Sequence, residues 1–222
     1  MMRRCTLIVT AAVLLVCGPS LVCAEDPESP DTTTTTVEPA APNRLLGVLP
    51  NNLTVDQTTV SPQTTRQAFK ATSLNTFDPV IFPMVGVMTI FGGGQSSNYA
   101  TRYSRTFADN TIGNFMTGAI VPSLADEDSR YYRRGTGGLF SRVAYAASRS
   151  VVTRTRGGSA IFNISEIGGT AAAASLSNFY YSPADRTVNA TLTRWGTQVM
   201  WDTLSNELKE FWPDVRAKIH GH

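Results

Sequence analysis

Hydrophobic positions recur at helical spacing through most of this chain. Between residues 110 and 124, Ile112, Phe115, Met116, Ala119 and Ile120 fall at i, i+3, i+4, i+7 and i+8, one face of an amphipathic helix. Pro122 is expected to kink or end that helix, because it lacks an N–H and its ring crowds the preceding turn. Residues 137–156 predict a second helix, with Phe140, Val143, Ala144, Ala147 and Val151 on one apolar face. Gly157-Gly158 is its expected stop, since glycine takes the left-handed C-terminal position without a steric penalty. A long segment opening at Ser182-Pro183 is expected to run to Phe211, where Pro213 breaks it, and to bury Trp195, Val199, Leu204, Leu208 and Phe211.

Ser61-Pro62 and Asp78-Pro79 mark two earlier helix starts. The second opens an apolar run over residues 79–91 that ends at Gly92-Gly93-Gly94. At 13 residues, interrupted by Pro83 and Gly86, it is too short to span a bilayer and suits a buried helix. Further on, Gly168, Ala172 and Ser175 form a small-residue stripe that lets a neighbouring backbone approach closely. Residues 160–167 alternate in a way that suits a short strand. The pattern as a whole predicts an all-α fold: one compact multi-helix domain over residues 44–216, ending in a flexible tail at 217–222.

The N-terminus follows a different pattern. Met1 to Arg4 form a positive stretch, residues 7–16 an apolar one, and Val22-Cys23-Ala24 supplies small residues at −3 and −1 of a cleavage site. That is the layout of a secretory signal peptide over residues 1–24. Cleavage would remove Cys5, Cys17 and Cys23, leaving 198 residues without a thiol. No small residue precedes Cys17 or Cys23, so a lipoprotein anchor is not indicated. Residues 25–43, rich in Glu, Pro, Asp and Thr, have almost nothing to bury and read as a disordered acidic leader. Residues 45–50 bring the first apolar cluster, expected as an arm docked on the body.

Without its signal the chain carries 17 basic and 17 acidic residues. Five acids precede Arg44, so a body of about +5 follows a leader of −5. All but three of the cations are Arg, which forks onto carboxylates and phosphates. Nucleic acid is a poor partner for an exported chain with so little net charge.

Much chemistry is excluded. With no thiol and no histidine before His220 and His222, thiol nucleophiles, Ser-His-Asp triads and His-based metal sites are out. No GxGxxG or Walker loop appears, and no cofactor is indicated. Glu166 stands alone in Asn163-Ile164-Ser165-Glu166-Ile167-Gly168-Gly169. Semi-buried, it would suit a general acid working with a second carboxylate. Its structural alternative is a first-turn acid on a helix capped by Asn163 or Ser165. Asp126-Glu127-Asp128 lacks the spaced ligands of a calcium loop and reads as a polar connector paired with arginines. Tyr99, Arg102, Tyr103, Arg105, Tyr131, Tyr132, Arg133 and Arg134 are candidates for an aromatic-cationic surface that stacks on sugars or holds lipid phosphates.

Several phrases occur in order: Gly47-Val48-Leu49-Pro50-Asn51, Thr111-Ile112-Gly113-Asn114-Phe115, Tyr131-Tyr132-Arg133-Arg134-Gly135, Val152-Thr153-Arg154, the Glu166 segment, Trp195-Gly196-Thr197 and Lys209-Glu210-Phe211-Trp212-Pro213-Asp214. Over roughly residues 45–216 the chain resembles a family of secreted proteins from soil bacteria of the acidobacterial kind. That resemblance implies a bacterial exported domain and carries over no activity, cofactor or catalytic residue.

The resulting expectation is a non-enzymatic envelope protein, periplasmic or loosely membrane-associated. It would bind an anionic envelope component, lipid head group or glycan, or another envelope protein, through the Tyr/Arg set. Two alternatives stand beside it. One is a carboxylate-dependent glycan hydrolase using Glu166 with an acid from the 126–128 connector. The other is a bilayer-inserting protein whose Gly/Ala helices assemble only in lipid.

Overall fold

Thr64 and Gln67 close a capping box, each side chain accepting from the other's backbone N–H, and so start helix α1, Thr65–Thr76. In the computed structural model of the chain, the described residues are 44–56, 61–91 and 98–219. The expected signal peptide with its cysteines, the leader and the terminal histidines lie outside them. Helix α2, Ile81–Phe91, follows Asp78, whose carboxylate accepts from the Val80 N–H and pairs with Arg44 at 2.9 Å. Asn98 caps α3, Tyr99–Phe115. A π turn, Met116–Ile120, then leads without a break into α4, Val121–Leu124.

Pro122 therefore does not end the helix. The Val121 N–H reaches back to Met116 O, one residue further than an α-helix allows, and this wider turn makes room for the proline ring. A second π turn, Ser165–Gly169, leads into α6, Thr170–Leu176, and the two π turns pack on each other. Their approach needs glycine: a Cβ on Gly169 would meet the Met116 backbone at 3.3 Å, and one on Gly118 would meet Thr72 Oγ1 at 2.5 Å.

The fold is mostly helical, but two small sheets correct the all-α expectation. Strand β1, Thr54–Asp56, pairs in parallel with β3, Tyr131–Arg133. Strand β2, Glu127–Asp128, lies beside β4, Val152–Thr155, which pairs in turn with β5, Ala160–Phe162, both antiparallel. The helix expected over 137–156 is thus only α5, Leu139–Ser148. The β-branched run Val151-Val152-Thr153 favours strand over helix, and Gly157-Gly158 turns a hairpin, with Gly158 at φ +91°. Of the short strand expected over residues 160–167, only Ala160–Phe162 is strand, and the second π turn takes the chain from Ser165.

The C-terminal helix α7, Val188–Ile219, begins after a 3-10 turn at Pro183–Asp185 and carries Pro213 inside it. It packs on α5 and α6, while α2 packs on α3.

The distribution of polarity is inverted. Glu127, Glu210, Thr72, Thr76, Thr89, Thr170 and Ser177 are among the largest fully buried side chains. On α5 the apolar face is present but points outward: Phe140 is 88% exposed, Val143 and Val151 are exposed, and Arg142 and Ala146 are buried instead. On α7, Trp195, Val199 and Phe211, expected inside, are half-buried, whereas Leu204 and Leu208, also expected inside, are exposed, in line with Leu192, Met200, Val215 and Ile219. These six follow one another at spacings of four, seven or eight, an apolar row along the outside of the helix. The small-residue stripe is displaced as well. Gly168, Ala172 and Ser175 face outward, and Gly169, Thr170, Ala173, Ala174 and Ser177 make the close contacts within.

Candidate functional site

With polar groups inside, the question at each buried carboxylate is whether the fold supplies its donors. At Glu210, on α7, it does. Oε1 accepts from the Gly135 N–H and Arg142 Nε, both at 2.9 Å, and Oε2 accepts from the Tyr131 hydroxyl at 2.8 Å and the Arg134 N–H at 3.0 Å. Arg142 also bonds the Glu210 carbonyl at 2.7 Å and pairs with Asp214. Burial by itself would raise this carboxyl, but the Gly135, Arg134, Arg142 and Tyr131 donors outweigh it and hold it below its ordinary value. Burial and the neighbouring Glu210 charge push the Tyr131 phenol up in turn.

Glu127 is satisfied in another way. It receives the Ile164 and Ser165 N–H groups at 3.0 Å and the Ser165 hydroxyl, at the entrance to the second π turn, where free N–H groups favour negative charge. Asp128 holds Arg130 through the Nε–Nη2 edge of its guanidinium, with Nε at 2.9 Å and Nη2 at 2.5 Å, and accepts from the Tyr132 hydroxyl at 2.7 Å. These contacts outweigh burial and keep Asp128 low, while burial and the Asp128 charge push Tyr132 up to about 12. Asp109 takes the hydroxyls of Tyr180 and Tyr181 at 2.5 and 2.6 Å. Burial still leaves Asp109 above its ordinary value.

Glu166 and Asp202 are different. Glu166 sits in the second π turn, its backbone N–H capped by Asn163 Oδ1 at 2.9 Å, as the structural reading of the sequence anticipates. Its side chain meets Asp202 of α7, and Glu166 Oε1 and Asp202 Oδ2 are buried with no donor from the described residues. Lys209, two turns along α7, is the cation that acts on both, yet no ion pair within 4.0 Å joins it to either. Its ammonium bonds Asn206 Oδ1 at 3.4 Å and lies 5.9 Å from the Tyr131 ring. Burial, and next the Asp202 charge, push Glu166 up to about 9. Burial raises Asp202 against the pull of Lys209, and lowers Lys209 against the pull of both acids. Burial favours the neutral cluster, in which two protons are distributed over the three groups.

These three side chains line a cavity of about 400 Å³, together with Asn110, Asn114 and Trp201. A buried polar group left without a partner costs about 1–3 kcal/mol, a penalty that the Glu210 site does not carry. Among the described residues no group of three or more His, Cys, Asp or Glu side chains could hold a metal ion.

The Tyr/Arg candidates do not come together as one surface. Tyr99 and Tyr103 donate to the carbonyls of Gly86 and Phe82, and Arg102 to that of Thr89, all bracing α3 against α2. Arg105 lies over the Tyr181 ring and 4.0 Å from Asp185. Tyr131 and Tyr132 are taken up by Glu210 and Asp128. Arg134 donates to Ser141 and lies over Tyr145, and the backbone of Arg133 pairs with β1. The three acids of the connector diverge: Asp126 faces Arg156 at 3.8 Å, and the other two are occupied as described.

Sequence reasoning found Glu166 but missed Asp202, Asn206 and Lys209. Their signal was available, since they fall at i, i+4 and i+7, a polar stripe on a helix whose apolar residues alone were read. Comparison with protein-family models, curated proteins and solved structures finds no match to this chain.

Proposed function

We propose that this chain is an exported, non-enzymatic envelope module that seats on the apolar layer of a membrane through the outer face of α7. The observation that carries the reading is the inverted α7: its polar residues turn inward to Glu166, Arg142 and Tyr131, and its apolar row faces out. A surface helix folded for water alone turns the other way, whereas an interfacial helix lays its apolar side into the acyl boundary. The exposed Leu139, Phe140 and Val143 of α5, which packs on α7, extend the same character. No single helix among the described residues is long and apolar enough to cross a membrane. Export rests on the pattern of residues 1–24.

This reading shifts the contact from the Tyr/Arg set, most of whose side chains brace the fold, to the apolar row. The glycan-hydrolase alternative has less support. Glycosidases keep their carboxyls ~5–9.5 Å apart for sugar or water, but Glu166 and Asp202 share a hydrogen bond. The connector acids are engaged elsewhere.

The test is sedimentation of the purified chain with neutral vesicles, anionic vesicles and isolated peptidoglycan, at low and high salt. Pelleting with both kinds of vesicle that survives high salt is expected. Replacing Leu192, Met200, Leu204 and Leu208 together by Ser should weaken it at least ~10-fold, from the apolar area removed. Binding to anionic vesicles or peptidoglycan alone, abolished by salt, would return the function to the arginines.

A further inference from the structure

The Glu166–Asp202–Lys209 cavity is bordered by Leu204 and Leu208 of the apolar row, but its polar side chains play no part in membrane seating, and its chemistry is incomplete in a specific way. One oxygen of each carboxyl, Glu166 Oε1 and Asp202 Oδ2, has no donor from the described residues, and the Lys209 ammonium makes one long hydrogen bond where it can make three. One proton shared between Glu166 and Asp202 satisfies one oxygen of each and leaves the remaining lone pairs unused. The site therefore offers acceptors and donors side by side. Asn110, Asn114 and Asn206 line the same space and add more of both kinds, and Trp201 adds a flat apolar surface.

We propose that this cavity binds a neutral, polyhydroxylated ligand of monosaccharide size, with ring hydroxyls donating to Asp202, exchanging hydrogen bonds with Glu166 and accepting from Lys209. A hydroxyl both donates and accepts, so adjacent hydroxyls answer an acid and an ammonium set close together. The volume, about 400 Å³, lies within the usual range for small-molecule pockets. A metal ion fits poorly, because two carboxyls and no third ligand face a lysine. The lining as a whole carries Glu127, Asp128, Glu166 and Asp202 against Arg130, Arg149, Arg154 and Lys209, so an ion of either sign meets like charge. Burial keeps the cluster neutral overall, which favours a ligand without net charge. The two unlike roles of the acids follow: Asp202 serves as the carboxylate, Glu166 as the carboxyl that retains its proton.

The experiment is titration calorimetry on the purified full chain in mild detergent. The probes are D-glucose, N-acetyl-D-glucosamine and myo-inositol, against acetate and methylammonium as charged counterparts. Saturable heat is expected with at least one of the three neutral probes and with neither charged one. Asp202→Asn and Lys209→Met should each weaken it by about tenfold or more, the loss of one charged hydrogen bond. Glu166→Gln, which keeps a donor and an acceptor, should stay within about threefold of wild type, well short of that loss. Circular dichroism confirms that each variant is folded, and a variant with only Leu192 and Met200 replaced by Ser, two positions outside the cavity lining, should bind the neutral probe unchanged while pelleting less with vesicles, which separates this site from membrane seating. Absence of saturable heat with all three neutral probes would overturn the proposal. So would saturation by acetate or methylammonium in their place, or a folded Asp202→Asn that binds like wild type.

Discussion

Glu210 and Asp202 lie about two turns apart on α7 and both turn into the protein, yet they have opposite surroundings. Glu210 is held by two backbone N–H groups, a guanidinium and a phenol. Asp202 meets another acid, has a buried oxygen with no donor, and looks across a cavity at a lysine that does not reach it. The first is an ion whose desolvation is repaid by good geometry; the second is a polar group the fold leaves wanting. Buried carboxylates thus divide into those that organise the chain and those that await something from outside it. The division shows in the donors, not in the depth of burial.

The contrast makes graded predictions. The largest effect should come from Glu210→Ala, which strands Arg142 and two backbone donors: a loss of about 3–5 kcal/mol in urea unfolding. Glu127→Ala should follow, at about 1–3 kcal/mol, because the π-turn N–H groups of Ile164 and Ser165 lose their acceptor. Asp202→Asn removes a buried charge one of whose oxygens has no donor, so its unfolding midpoint should equal or exceed that of wild type. A loss as large as that of Glu210→Ala would erase the distinction.

The pH dependence should differ in sign. Glu166, with its ordinary value of 4.5 raised to about 9, holds in the folded state a proton that the unfolded chain releases. Its contribution is complete below pH 4.5 and is lost as pH rises through about 9, and Glu166→Gln should flatten that decline. Glu210, held low, contributes above 4.5 and loses its contribution as pH falls through its folded value, so acid unfolding should be the limb that Glu210→Gln alters. The smallest effect is expected from replacing Arg133 and Arg134 together by Ala. Vesicle pelleting should then change less than it does for the α7 row.

Much of the helical content was legible because periodicity is local. Ile112, Phe115 and Ala119 recur every three or four residues whatever they later touch. The strands were harder to read. Two or three residues of Tyr131–Arg133 carry no period, and they are strand only because Thr54–Asp56 comes alongside from a distant part of the sequence. Pro122 misled for a related reason: its penalty assumes a regular α-helix, and the π turn before it is maintained by packing against Gly169.

The sequence by itself determined that most of the body is helical, which stripe of each helix is apolar, that no internal histidine is present for catalysis, and that Glu166 stands apart from other charges. Which stripe faces inward was decided by the tertiary structure. An apolar period is the same whether it meets a core or an acyl layer, so α5 and the Leu204–Leu208 row of α7 could not reveal their direction on their own. Only the folded chain brings Glu166 from one π turn to Asp202 and Lys209 on α7, because a cluster of charges depends on distances in space that spacing along the chain does not encode.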